Sequence, residues 1–90
     1  MTLTQLQYVV AIAETKSMNK AAAALFVSQP ALSGTIKDLE EELQTELFIR
    51  TNKGIVITTE GQEFLSYARQ MVELGNLVEE RFVNKTIAKK

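Results

Sequence analysis

The chain has 90 residues, 46% of them hydrophobic, and a formal net charge of −1; this suits one small globular domain and argues against disorder. It contains no cysteine and no histidine, which excludes disulfides, thiolate and imidazole chemistry and the commonest soft metal ligands. No apolar run approaches the roughly 18 residues of a membrane span and the N-terminus lacks a signal-peptide pattern, so a cytoplasmic protein with no membrane partner is expected.

Leu3, Leu6, Val10 and Ala13, with Val9 and Ile12 beside them, recur at helical spacing and predict an amphipathic helix over residues 3–14. Thr15-Lys16-Ser17 is a connector. Asn19 is the expected N-cap of a short helix from Lys20 to Leu25, whose alanines fit a close approach to another helix. Leu25 and Phe26 favour a packed element over a solvent-surrounded one. Ser28 is the next N-cap, with Val27 and Leu32 placed as a hydrophobic staple and Pro30 in the first turn, where no intrahelical bond is lost. The third helix runs to about Leu43. Leu32, Ile36, Leu39 and Leu43 form its inward stripe, Pro30, Ser33, Gly34 and Lys37 point the other way, and Gln29 sits on the flank.

Phe48-Ile49-Arg50 and Ile55-Val56-Ile57 are short β-prone runs around Thr51-Asn52-Lys53-Gly54, a hairpin signal. Thr58 or Thr59 can cap the next helix, and Thr59 with Gln62 would complete a capping box. That helix is long, expected from Glu60 to about Val83. Phe64, Ala68, Met71, Gly75, Val78 and Phe82 step by four and three along it, as in a coiled-coil seam, and Leu65, Val72 and Leu74 widen the stripe. At about 24 residues, roughly 36 Å, this helix outreaches the body before it, which favours dimerisation over purely internal packing. The expected fold is mainly α: a winged helix-turn-helix of three helices plus a β-hairpin wing (1–58), a linker and dimerisation helix (59–84) and a disordered tail (85–90).

The net acidity conceals a sorting of charge. Between Thr15 and Lys37 stand Lys16, Lys20 and Lys37 with no acid, and between Leu47 and Thr59 stand Arg50 and Lys53, again with none; the acids gather at Asp38, Glu40, Glu41, Glu42 and Glu46. The local field at a contact face matters more than the total, and the acidic cluster reads as a solvated face on the far side. Two helices meeting across residues 25–28, the second small and polar on its outward first two turns, are what major-groove reading requires. The helix-turn-helix therefore spans residues 17–43, with free amides and a positive dipole end for phosphates. A protein-binding module would instead expose an apolar patch on that face. An enzyme finds no support: there are no catalytic residues, no metal site, no cofactor site and no glycine-rich phosphate loop to name.

The run Ala21-Ala22-Ala23-Ala24-Leu25-Phe26-Val27-Ser28-Gln29-Pro30-Ala31-Leu32-Ser33 strongly resembles the core motif of the LysR-type transcriptional regulators. The agreement continues in Ile36-Lys37-Asp38-Leu39-Glu40, Leu47-Phe48-Ile49-Arg50-Thr51 and Thr58-Thr59-Glu60-Gly61. The resemblance implies a bacterial regulator that binds an inverted-repeat site on double-stranded DNA as a homodimer through the linker helix, with a tetramer open to the full-length protein. It also implies an effector-sensing domain that this chain, ending at Lys90, would lack. Carried over residue by residue, it implies base contacts at Gln29, Pro30, Ser33 and Gly34. Backbone contacts would fall at Ser17, Asn19, Lys20, Ser28 and Lys37, and a minor-groove wing at Arg50 and Lys53. Gly34 departs from the family, many of whose members have arginine there; specificity would then lean on Gln29 and on DNA shape. Close backbone approach to DNA and functionless drift are both open explanations of that glycine.

Overall fold

In the computed structural model, which describes residues 1–83, helices α1 (Leu3–Thr15), α2 (Met18–Leu25) and α3 (Gln29–Leu43) precede strands β1 (Phe48–Thr51) and β2 (Gly54–Ile57). Helix α4 (Thr59–Val78) comes next and passes into a π-helical turn over Glu79–Val83. The tail expected to be disordered, 85–90, lies outside the described residues. No described helix is long and apolar enough to cross a membrane.

Local chemistry sets the boundaries. Thr2 and Gln5 form a capping box at α1: the Gln5 amide donates to Thr2 Oγ1 at 3.1 Å and the Thr2 amide to Gln5 Oε1 at 2.9 Å. Helices α1, α2 and α3 end in left-handed residues that are not glycine, namely Lys16, Phe26 and Gln44. At α2 the N-cap is Ser17, whose hydroxyl accepts from the Lys20 amide at 3.2 Å. The expected cap, Asn19, is thus corrected to a residue within the first turn. Once Lys16 turns left-handed to end α1, Ser17 is the residue left in extended backbone, which capping requires. Ser28 caps α3 as expected, accepting from the Ala31 amide at 3.2 Å. Thr58 caps α4, its hydroxyl accepting from Gly61 at 2.8 Å, so Thr59 is the first helical residue and the expected Thr59–Gln62 capping box does not form.

One core joins all the elements. Leu6, Val9 and Ile12 of α1, Leu32, Ile36 and Leu39 of α3, Leu47 before β1, and Leu65 and Ala68 of α4 are buried together. Ala21 and Ala22 of α2 are buried, while Ala23 and Ala24 face solvent. Leu25 packs against the core, but Phe26 is 95% exposed; its left-handed backbone turns the ring outward, correcting the expectation that it would pack. The strands pair antiparallel in the register Phe48↔Ile57 to Thr51↔Gly54.

Two glycines fix the hairpin and α4. Gly54 has φ +127°, and a Cβ there would stand 2.8 Å from the Lys16 carbonyl oxygen, the same oxygen that accepts from the Ile55 amide at 3.1 Å. The hairpin is thereby pinned to the α1–α2 connector. At Gly61 a Cβ would collide with the Leu47 carbonyl oxygen, so only glycine lets α4 begin hard against the entry to β1.

Candidate nucleic-acid interface

The N-terminal ends of α2 and α3 open on the same side of the molecule, and the hairpin lies against them: Ser17, Asn19, Gln29, Arg50 and Asn52 line one depression. Pro30 and Gly34 are exposed, and a Cβ at Gly34 would meet nothing within 4 Å. Lys20, Lys37 and Lys53 are exposed, as is Phe26 at the turn entering α3.

The caps limit which backbone groups are available. Pro30 has no N–H and Ala31 donates to Ser28, so Gln29 supplies the one uncapped amide among the first three residues of α3. At α2, Lys20 donates to Ser17, leaving the Met18 and Asn19 amides. Ser17 and Ser28 therefore use their oxygens internally, with their hydroxyl protons free to donate.

Arg50 is placed differently from Lys53. Lys53 stands at the hairpin turn, but the Arg50 guanidinium folds back from β1 and donates from Nη2 to Ser33 Oγ on α3. That hydroxyl also accepts from Gln29 Nε2 at 3.0 Å. The Arg50 side chain thus turns toward α3, while Lys53 stands at the hairpin turn. Arg50 does not meet the acids. Among the described residues the one ion pair joins Glu42 to the N-terminal amine of Met1 at 2.9 Å.

The acidic cluster is not uniformly solvated either. Glu40 is half-buried, and its Oε2 accepts from the amides of Leu47 at 2.7 Å and Phe48 at 3.2 Å. It ties the end of α3 to the start of β1 and so sets where the hairpin meets α3. Composition gave no sign of this, because it depends on how the chain folds back after Gln44.

The expected seam of α4 divides. Ala68 is 1% exposed within the protomer's own core and Phe64 is half-buried against it. Gly75 lies beneath the Leu3 side chain. Met71, Val78 and Phe82 are exposed, together with Leu74 and Leu77. Leu3, Met71, Leu74, Gly75 and Val78 line an open apolar groove. Phe82 falls on the π-helical turn, where the wider winding departs from the repeat that placed it in register with Val78.

Among the described residues no group of three or more acidic side chains could hold a metal ion. Residues 3–62 match the model of the bacterial regulatory helix-turn-helix proteins of the lysR family. The chain is 40% identical over 74 residues to the uncharacterized HTH-type transcriptional regulator YxjO of Bacillus subtilis (strain 168), covering 82% of this chain and 25% of that protein. It therefore spans about a quarter of that relative's length. Among solved structures it is similar to the DNA-binding domain of CbnR in complex with DNA, with a TM-score of 0.84 and 36% identity over 100% of both chains. It is likewise similar to the DNA-binding domain of BenM with catB site 1 DNA, with a TM-score of 0.82 and 39% identity, covering 100% of this chain and 99% of that one.

Proposed function

The chain belongs to the lysR family of bacterial regulatory helix-turn-helix proteins, and on that footing we propose that it is a non-catalytic, sequence-specific DNA-binding domain that grips double-stranded DNA as a homodimer. The observation that carries this reading is the outward face of α3. Gln29, Pro30, Ser33 and Gly34 present a small, polar, acid-free surface between two capped helix N-termini, with Lys20, Lys37, Arg50 and Lys53 around it. A surface of that shape enters a major groove without steric or charge conflict.

The roles divide by chemistry. Gln29 and Ser33 offer directed hydrogen bonds to base edges, while Pro30 and Gly34 keep the approach close. Ser17, Asn19, Lys20, Ser28 and Lys37 hold phosphates, which sets register and affinity but carries no sequence information. Lys53, at the hairpin turn, reaches the flanking backbone or minor groove. Residues 1–58 form the reading unit, and the linker helix follows from Thr59. The exposed apolar row Met71, Leu74 and Val78 and the groove it shares with Leu3 are covered by a second copy. Two recognition helices then address the halves of an inverted repeat, in the cytoplasm where a bacterial chromosome lies.

Selection of bound sites from random duplex DNA tests this reading. An enriched half-site repeated in inverted orientation at fixed spacing is expected; recovery of unenriched sequences would overturn it.

A further inference from the structure

We propose that Arg50 is a positioning residue for base reading: through the Ser33 hydroxyl it fixes the amide of Gln29, so that sequence preference at the base facing Gln29 depends on a strand outside the recognition helix. This rests on the DNA-binding reading above and specifies how its central contacts are set.

A hydroxyl has a limited bonding capacity, and Ser33 Oγ has two acceptor lone pairs and one proton. Both lone pairs are engaged, one by Gln29 Nε2 at 3.0 Å and the other by Arg50 Nη2. Ser33 therefore presents only a donor to anything docking on α3, and it matches acceptor groups on a base edge rather than an exocyclic amine. Gln29 is constrained in turn. With one N–H spent on Ser33, its amide can reverse only if the Ser33 proton turns inward to donate to Gln29 Oε1, which withdraws that proton from a docked base. Gln29 shows a docking base a carbonyl oxygen and one remaining N–H in fixed order. A hydroxyl that Arg50 did not hold could turn its lone pairs away from Gln29 and leave that amide unanchored.

The surroundings favour this use of Arg50. Among the described residues no carboxylate pairs with it: Glu40, which lines the same depression, has Oε2 committed to the Leu47 and Phe48 amides. The strand that carries Arg50 is anchored at both ends, by Glu40 at its start and through its partner strand by Ile55 donating to Lys16. Gly34 leaves the adjoining helix surface bare, so no side chain at that position could hold Ser33 instead.

The test is site selection with the wild-type chain, Gln29→Ala, Arg50→Lys, Ser33→Ala and the Arg50→Lys/Ser33→Ala double variant. Gln29→Ala identifies the base position that Gln29 reads. The quantity measured is the affinity ratio between the selected base and the other three at that position, which a phosphate contact common to all sequences does not move. Arg50→Lys keeps the charge but removes the directed guanidinium bond, and is expected to lower the ratio about threefold to tenfold, the size of one net hydrogen bond. Ser33→Ala should lower it to the same extent, and the double variant no further, because both remove one relay. Should Arg50→Lys disturb the hairpin, Ser33→Ala tests the relay from α3, its own base contact being read at the position Ser33 faces and not at the one Gln29 reads. An unchanged ratio in either single variant, or a double variant whose loss is the product of the two, would overturn the proposal while the DNA-binding function stands. A wild-type chain that enriches no sequence would contradict that function itself.

Discussion

Helix α4 begins and ends in different surroundings although its apolar pattern is continuous. In its first half Gly61, Leu65 and Ala68 are buried against α1 and the Leu47 segment. In its second half Leu74 is 63% and Leu77 59% exposed, and among the described residues it is Leu3 that reaches over this stretch, at Gly75. The same residue types thus hold the protomer together at one end and stand exposed at the other. A hydrophobic repeat reports that a stripe will be covered, not by which chain.

That contrast can be broken or sharpened by substitution. Leu65→Ala is expected to destabilise the protomer by about 2–5 kcal/mol, whereas Leu74→Ala leaves it within about 0.5 kcal/mol; urea unfolding of dilute protein compares the two. Equal losses would erase the distinction. Two glycines make the next comparison. Gly61→Ala drives a Cβ into the Leu47 carbonyl oxygen, against backbone that cannot yield, and should cost about 1–3 kcal/mol. At Gly75 the obstacle is the end of the Leu3 side chain at 2.9 Å, which can swing aside. Gly75→Ala should therefore stabilise the dilute protomer, by up to about 1 kcal/mol of helix propensity, as read from thermal melts. Smallest in its effect on folding is Met71→Glu with Val78→Glu, expected to change protomer stability by under about 0.5 kcal/mol yet to yield monomers in sedimentation. A dimer that survived both charges would place the interface elsewhere.

Much of this arrangement was legible in the sequence, for identifiable reasons. Ser28, Pro30 and the Leu32–Ile36–Leu39 stripe each combine a local preference with a periodicity, and both agree on where α3 starts and which way it faces. The hairpin is signalled by β-prone runs bracketing Asn52, Lys53 and Gly54. Misreadings arose where two local solutions compete. Ser17 and Asn19 are both good caps, and the left-handed turn at Lys16 decided between them; Thr58 and Thr59 were both open from the sequence, and Thr58 is the cap. The Thr2–Gln5 capping box was present as a spacing but overshadowed by the apolar periodicity after it. Least legible were contacts between segments: Glu40 on the Leu47 and Phe48 amides, and Arg50 on Ser33 across 17 positions. Composition placed Arg50 on a hairpin, but only the approach of that hairpin to α3 brings its guanidinium to Ser33.

Under the proposed function an acidic chain meets DNA through a locally cationic, polar surface. The most direct test is the affinity of the dimer for its selected duplex, measured by fluorescence anisotropy across a range of salt concentrations. Neutralised phosphates release counterions, so log affinity should fall linearly with log salt, at a slope of about −0.9 per phosphate held, and the slope should become shallower by about one for each subunit's Lys20→Ala. An affinity that did not change with salt would contradict a cationic contact face.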